Sequence, residues 1–579
     1  MSEKRLLKPE AVQEVHLETD ILIIGAGNAG CFAAIEAKRL NPNLKVTLLE
    51  KAHIDRSGCL AAGMDALNTY IKKGKTREDL VRWSRDQVGG GPLREDLTLS
   101  MAEYLNRCIE EWEEWGLPIK KDENGEYLAR GKWDIAIHGE SMKVILAEKV
   151  REYNCEVINK VAATSYLVDE GRVVGVTGLG VKDGKFYVVR AGATIVATGG
   201  AAGLYKPYTN DGNDCHHQIW YSPFNVGTGY AMGIRIGAEM TTFEMRWCAV
   251  RTKDFNGPID TISVGYNAAM INGRGEKILQ THYSHLGGEA APRFIRANAP
   301  MDEWLTGRGP TYVDTTGMTP EQVKDLKEDY LNERPTFVQF LAARGQDITK
   351  EPIEVYGSDP YIVGGHTASG YWINNDRSTT VPGLFACGDV AGGVPNKFVG
   401  GCAAEGVLSA IGAVQYVAGL TDRGHTDPEA VKSEKERVYA PMARMAEAGD
   451  GVTPGEMEER LQRLMDEYAG GVHQFYRTDH HRLEYALKHI KILQEQVRYL
   501  IAEDVFNLLA AHEVIDRLTV AEVLVHHLLY RAETRWPGWQ TRADFPEKDE
   551  KLNCFVNSRF NPETGAIEML TRPYEKVVD

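Results

Sequence analysis

Residues 18–50 read ETDILIIGAGNAGCFAAIEAKRLNPNLKVTLLE. The run 18–24, ETDILII, reads as a buried strand, its last four residues all apolar. Asn28 to Arg39 reads as a helix of small residues, and KVTLLE at 45–50 as a second buried strand. Together they form one βαβ unit of about 30 residues. Between strand and helix stand Gly25, Gly27 and Gly30. The first permits the tight turn, the second lets the backbone approach a pyrophosphate, and the third lets helix and strand pack closely. The helix start at Asn28 and Ala29 then offers unpaired N–H groups and partial positive charge to phosphates. Glu50 ends the second strand twenty residues past Gly30, where a carboxylate accepts from ribose hydroxyls, and Lys51 follows it. Triplet, strand, helix and acid in register point to a dinucleotide, with FAD and NAD equally open.

Outward from this unit, a charged helical stretch runs from Thr76 to Trp115, and strand-like segments fill 155–196. The texture changes at 248, where PTYVDTTGMTPEQVKD lies within a segment resembling an insert, and βα character returns at VPGLFACGDVAGG. From about 436 the chain is highly charged and helical, with a polar tail. At 579 residues, two to four domains are expected.

Two later stretches separate the nucleotides. ATIVATGGAAG (193–203) is a buried strand ending in Thr198, Gly199 and Gly200, and GLFACGD (383–389) is another ending in Gly388 and Asp389. Both resemble the two-dinucleotide flavoenzymes, in which a distant Gly-Asp segment reaches the ribityl–phosphate region. Asp389 takes that place here. No second G-x-G-x-x-G follows for a pyridine nucleotide. The expected fold is therefore α/β: a split Rossmann-type FAD-binding domain (15–247 and 362–435), an inserted α+β capping domain (248–361) and a C-terminal helical domain (436–579).

A formal charge of −16 opposes nucleic-acid or anionic-membrane binding, yet leaves room for a small anionic substrate beside a local arginine. The nine cysteines include no CxxC, so iron–sulfur clusters are expected only in a partner subunit. No apolar run is expected to reach the roughly 18–20 residues needed to cross a bilayer, and the N-terminal MSEKRLLKPEAVQEVHLETD lacks the pattern of a secretory signal. Direct membrane insertion is not expected, and the expected location is cytoplasmic. His480 and His481 are adjacent and diverge on a helix, so no metal site is assigned there.

Nearly the whole chain resembles the fumarate reductase/succinate dehydrogenase flavoprotein superfamily. Within it, DRSGCLAAGMDALNTY (55–70), GKWDIAIHGESMK (131–143), FEMRWCAVRTKDFNGPI (243–259) and RAETRWPGWQTRADFP (531–546) resemble the alpha subunits of adenylylsulfate (APS) reductases. Members that bind FAD covalently carry histidine after Arg-Ser. Here Ser57 is followed by Gly58, which implies non-covalent FAD. Trp247-Cys248-Ala249 stands where the dicarboxylate enzymes have His-Pro-Thr, and Gly538 to Arg542 lacks their carboxylate-gripping histidine.

The resemblance implies reduction of adenylylsulfate to sulfite and AMP, or the reverse, with electrons from a ferredoxin-like iron–sulfur beta subunit. The alternative is a fumarate reductase/succinate dehydrogenase-type subunit, or the same chemistry on another substrate. Arg251 is the expected catalytic oxyanion clamp, because a guanidinium grips an anion with two parallel hydrogen bonds. His366, in YIVGGHTASG, is the expected active-site histidine, able to donate to an anion or shuttle a proton. Trp220, 31 residues before Arg251, matches a substrate-contacting tryptophan; Asn68 and Glu140 are carried over as substrate contacts.

Overall fold

β1 (Glu14–Ile24) lies inside a seven-stranded sheet, and its Ile21, Leu22 and Ile23 are fully buried because both faces are covered. The structure is a computed structural model that describes residues 8–207, 219, 221–255, 266 and 268–579. β2 (Val46–Glu50) pairs parallel to β1 on one side, and Glu156–Asn159 pairs parallel to β2. On the other side of β1 lies Phe186–Val196, again parallel. The carboxyl end of that strand carries Leu384–Ala386, while its amino end continues into the antiparallel meander Arg172–Gly180 and Val161–Asp169. A strand nearly 200 residues downstream thus completes the parallel sheet. The interruption leaves the order of hydrogen bonding intact.

α1 (Asn28–Leu40) crosses one face and packs against the helix Phe398–Ala418. A Cβ at Gly406 of that helix would overlap the Ala29 carbonyl, so the small residues set how near the two backbones come. By length and composition, Phe398–Ala418 is the one helix among the described residues that could cross a bilayer; the apolar window has a mean hydropathy of 1.3. This corrects the expectation that no apolar run reaches that length: glycines and Glu405 lie within the helix, yet its mean stays apolar. Its apolar surface is accounted for inside the protein: 78% of the window is buried.

Between the two parts of this sheet the chain builds a separate four-stranded antiparallel sheet from Val250–Thr252, Ile353–Gly357, Thr311–Asp314 and Ala269–Ile271. Helices Arg293–Leu305, Pro320–Glu333 and Pro335–Arg344 surround it. After residue 427 come the helices Pro428–Ala448, Pro454–Tyr468, His480–Gln496 and Val505–Tyr530. The tail is not merely polar. Cys554–Asn561 and Ala566–Pro573 form a hairpin that extends Met240–Thr241 and Gly370–Tyr371 into a four-stranded sheet. CFVNSRFN has four consecutive buried residues from Phe555 to Ser558, two of them polar, so no clean period marks the strand in the sequence.

Candidate active site

The parallel register brings Ile24, Leu49, Val196 and Ala386 side by side, so the residues after each strand gather at one edge. This carboxyl edge is where open α/β sheets bind ligands. Gly25 turns there with φ +98°, and a Cβ would lie 2.6 Å from the Ala197 carbonyl oxygen. Gly27 is different: its nearest neighbour to an added Cβ is the Gly58 Cα at 3.9 Å. Nothing in the protein demands glycine at 27, and the open space over it suits a bound phosphate. Gly30 closes the other side, where a Cβ would overlap the Gly25 carbonyl.

No side chain caps α1, which leaves its first N–H groups for an anion. Asn28 Nδ2 donates to the Val399 carbonyl at 2.7 Å, whereas Asn28 Oδ1 and Thr198 Oγ1 are buried with no hydrogen-bond partner. Buried polar atoms of this kind call for a ligand or water. Glu50 Oε2 accepts from the Ala26 amide at 2.8 Å and Oε1 from the Ala52 amide at 2.7 Å, so the acid fastens the loop that Ala29 continues. Ser57 Oγ donates to the Ala26 carbonyl at 3.2 Å, bringing Gly58 over Gly27. Lys51 pairs with Glu513 at 2.7 Å. Lys143, fully buried, also donates to the Ala26 carbonyl and adds a charge that sequence reading missed.

Gly199 lies against Asn225 and Tyr221, and Gly200 against Ile362 and Val363. Gly388 precedes Asp389, whose carboxylate accepts from Tyr221 OH at 2.8 Å and Cys402 Sγ at 3.3 Å. Tyr230 OH holds the Asp389 carbonyl at 2.9 Å. The glycines, the uncapped helix and the orphaned Asn28 and Thr198 oxygens together fit the diphosphate of FAD.

A second cluster lies beyond Asp389. The His366 ring is 4.6 Å from the Trp247 ring and 5.0 Å from Phe398, edge-on at 89°. Burial holds His366 down at about 4, against a partial lift from Asp389, with Arg293 pushing the same way as burial. It is therefore a neutral imidazole near neutral pH. The Arg293 guanidinium carbon stands 4.5 Å from the Phe398 ring centre. Burial, then repulsion from Arg296, pulls Arg293 down to about 10, and burial alone lowers Arg296. Neither guanidinium makes a hydrogen bond or ion pair with a described residue, and Arg296 Nε is buried without a partner.

Arg251, 1% exposed, lies opposite Tyr356 in the capping sheet and donates through Nε to the Thr252 carbonyl at 3.3 Å. The same ribbon continues through reciprocal backbone bonds of Trp247 and Tyr361, 2.8 and 3.1 Å, toward His366. Asn68, half-buried, gives its carbonyl to Gly400 at 3.1 Å, next to Phe398. Glu140 is exposed, its backbone beside Gly63 where Asn332 of the capping domain comes down. Trp220 lies outside the described residues.

A family model for the FAD binding domain matches residues 20–404. The adenylylsulfate reductase subunit alpha of Megalodesulfovibrio gigas is 30% identical, over 97% of this chain and 96% of that protein. The chain belongs to the FAD-binding adenylylsulfate reductase alpha-subunit family. Adenylylsulfate reductase from Archaeoglobus fulgidus superposes with a TM-score of 0.95 at 34% identity, covering 100% of this chain and 99% of that one. An adenosine-5-phosphosulfate reductase in complex with sulfite, as a covalent adduct, gives the same TM-score, identity and coverage. The protein is thus an FAD-dependent oxidoreductase of the adenylylsulfate reductase alpha-subunit type.

Against that family's frame, sequence reading missed Arg293, Arg296, Tyr221 and Lys143. Arg293 and Arg296 are spaced i, i+3 on one helix, which places them on one face. That spacing alone does not distinguish them from a solvated pair. The C-terminal His473 instead pairs with Asp466 at 2.6 Å.

Proposed function

We propose that this chain reduces adenylylsulfate to sulfite and AMP, or runs the reverse reaction, taking electrons from a ferredoxin-like iron–sulfur beta subunit. The observation that carries the reading is the Arg293–Arg296 pair, two guanidinium groups with no carboxylate partner beside His366 and the dinucleotide crevice. When bound, FAD supplies the electron pair. The sulfur–oxygen bond to the phosphate breaks, sulfur gains two electrons, and AMP keeps the bridging oxygen. Two negative charges are added as the products form, so donors fixed in advance around the sulfur oxyanion favour the transition state. Arg293 and Arg296 are placed for that role, with Arg251 approaching along the capping ribbon. Neutral His366 donates a hydrogen bond to an anion without itself needing to ionise. Trp220, Asn68 and Glu140 are assigned to the nucleotide end.

Two observations support a separate electron-delivering subunit: the sequence has no CxxC, and the related protein of M. gigas is itself named as a subunit alpha. The same reading puts the enzyme in the cytoplasm with non-covalent FAD. Turnover with adenylylsulfate, fumarate and succinate, using a viologen donor, tests it. Adenylylsulfate-dependent release of AMP and sulfite is expected. Rapid fumarate reduction without that release overturns the proposal in favour of the dicarboxylate branch. Co-expression with a ferredoxin-like partner is expected to give a stable complex.

A further inference from the structure

Trp247 is 7% exposed, and its indole Nε1 is buried with no hydrogen-bond partner. Three other indoles share that condition. Trp112 packs among Phe32 and Trp115, Trp133 lies against Trp83 beneath Lys75, and Trp304 meets Tyr356. Trp247 alone of the four packs against His366, the rings tilted by 57°, and its other neighbour is Trp539, with centroids 4.9 Å apart. The contrast with Trp539 is informative. That indole donates to the Cys248 carbonyl at 3.0 Å, so its polar group is satisfied by packing. Trp247 is held from both sides by rings and by the backbone ladder with Tyr361, which fixes its orientation. A rigid N–H without a partner costs free energy in the protein alone, and a ligand oxygen beside His366 would recover it.

We infer that Trp247 is a specificity-determining donor, its Nε1–H bonding an oxygen of the sulfur oxyanion that Arg293 and Arg296 hold. This rests on the reading that the cleft takes such an oxyanion. The indole supplies a neutral, directed donor where the arginines supply charge, and its width narrows the space between His366 and Trp539.

The test is a sulfite titration of the oxidised FAD-loaded protein, read by visible absorbance, with thermal melting and FAD affinity measured alongside. Trp247→Phe keeps a ring in the stack and removes only the N–H. It is expected to weaken sulfite binding by about tenfold or more, the loss typical of a hydrogen bond to a charged group, with FAD affinity and melting retained. Trp539→Phe removes a donor already used in packing, and is expected to lower the melting temperature while leaving sulfite affinity within about twofold. Equal sulfite affinity in wild type and Trp247→Phe, or equal losses in both variants, overturns the inference. Wild type that binds no sulfite removes the oxyanion site as well. Wild type that binds sulfite with the expected contrast, yet does not turn over adenylylsulfate, overturns the proposed substrate and leaves the role of Trp247 standing.

Discussion

The molecule keeps one set of arginines fully out of solvent and leaves another half-buried, under opposite conditions. At the seam with the C-terminal segment, Arg531 is fully buried and bonds Glu244 at 2.6 Å and Glu533 at 2.8 Å, while Glu244 also meets His527 at 2.9 Å. Nearby, Arg246 spends its donors on the Ala469, Gly470, Tyr476 and Trp539 carbonyls. Burial alone would lower both groups, yet the surrounding acceptors raise them. In the cleft, burial and the neighbouring Arg296 outweigh a lift from Asp134 and lower Arg293, and burial lowers Arg296. The same side chain is a structural rivet in one region and a waiting anion site in the other. Partners, rather than residue type, distinguish them.

The sharpest way to break this contrast is to exchange the consequences. Arg531→Met leaves buried Glu244 without its guanidinium, with only His527 beside it, while Glu533 keeps Arg535; it is expected to cost about 3–5 kcal/mol of stability in a denaturant melt. A melt indistinguishable from wild type would dissolve the distinction. Arg293→Met is expected to do the reverse, lowering turnover of adenylylsulfate by roughly 10²–10³-fold while melting no earlier than wild type. Removing one of two mutually repelling cations relieves the free protein.

Gly27→Ala sharpens the comparison at the phosphate cradle. Because the space above Gly27 is open to 3.9 Å, the FAD-free protein is expected to melt as wild type. FAD affinity should fall by more than about tenfold, ~1.4 kcal/mol, measured by fluorescence titration.

The smallest effect concerns pH. Burial holds His366 and His512 down at about 4. An unfolded histidine titrates near 6.5, so between those values the unfolded chain binds protons that the folded chain does not. The contribution is fully present above about pH 6.5 and is lost as pH falls toward 4. His512→Asn is expected to flatten the melting-versus-pH curve in that window and leave it unchanged at pH 8; an unaltered slope contradicts the assignment.

The phosphate cradle was legible because its parts are adjacent in sequence. Gly25, Gly27, Gly30 and Glu50 sit within one βαβ unit, where spacing alone dictates their geometry. The return strand was also legible, as Leu384–Ala386 carries the apolar run that its place beside Phe186–Val196 requires. The cationic cleft was not. It is assembled from Trp247, Arg293, His366 and Phe398, which no local periodicity links. What marks Arg293 and Arg296 is a lack of partners, and that property exists only in three dimensions. Lys51 shows the converse limit: its place after Glu50 suggested a ligand contact, but Glu513, 462 residues onward, takes its charge. The terminal hairpin was obscured because its strands carry consecutive polar residues, Asn557-Ser558-Arg559, of which two are buried only by pairing and packing in the folded sheet.

The late return of the chain to its own first sheet has a consequence for synthesis. When β1, α1 and the first glycine loop leave the ribosome, the inner face of α1 has no neighbour, since the helix that covers it, Phe398–Ala418, is made hundreds of residues later. Capture of FAD is therefore expected to come late in the life of the polypeptide. A nascent chain halted before residue 384 should emerge without the coenzyme and draw chaperones to its bare flank, whereas one released beyond residue 418 should already be yellow.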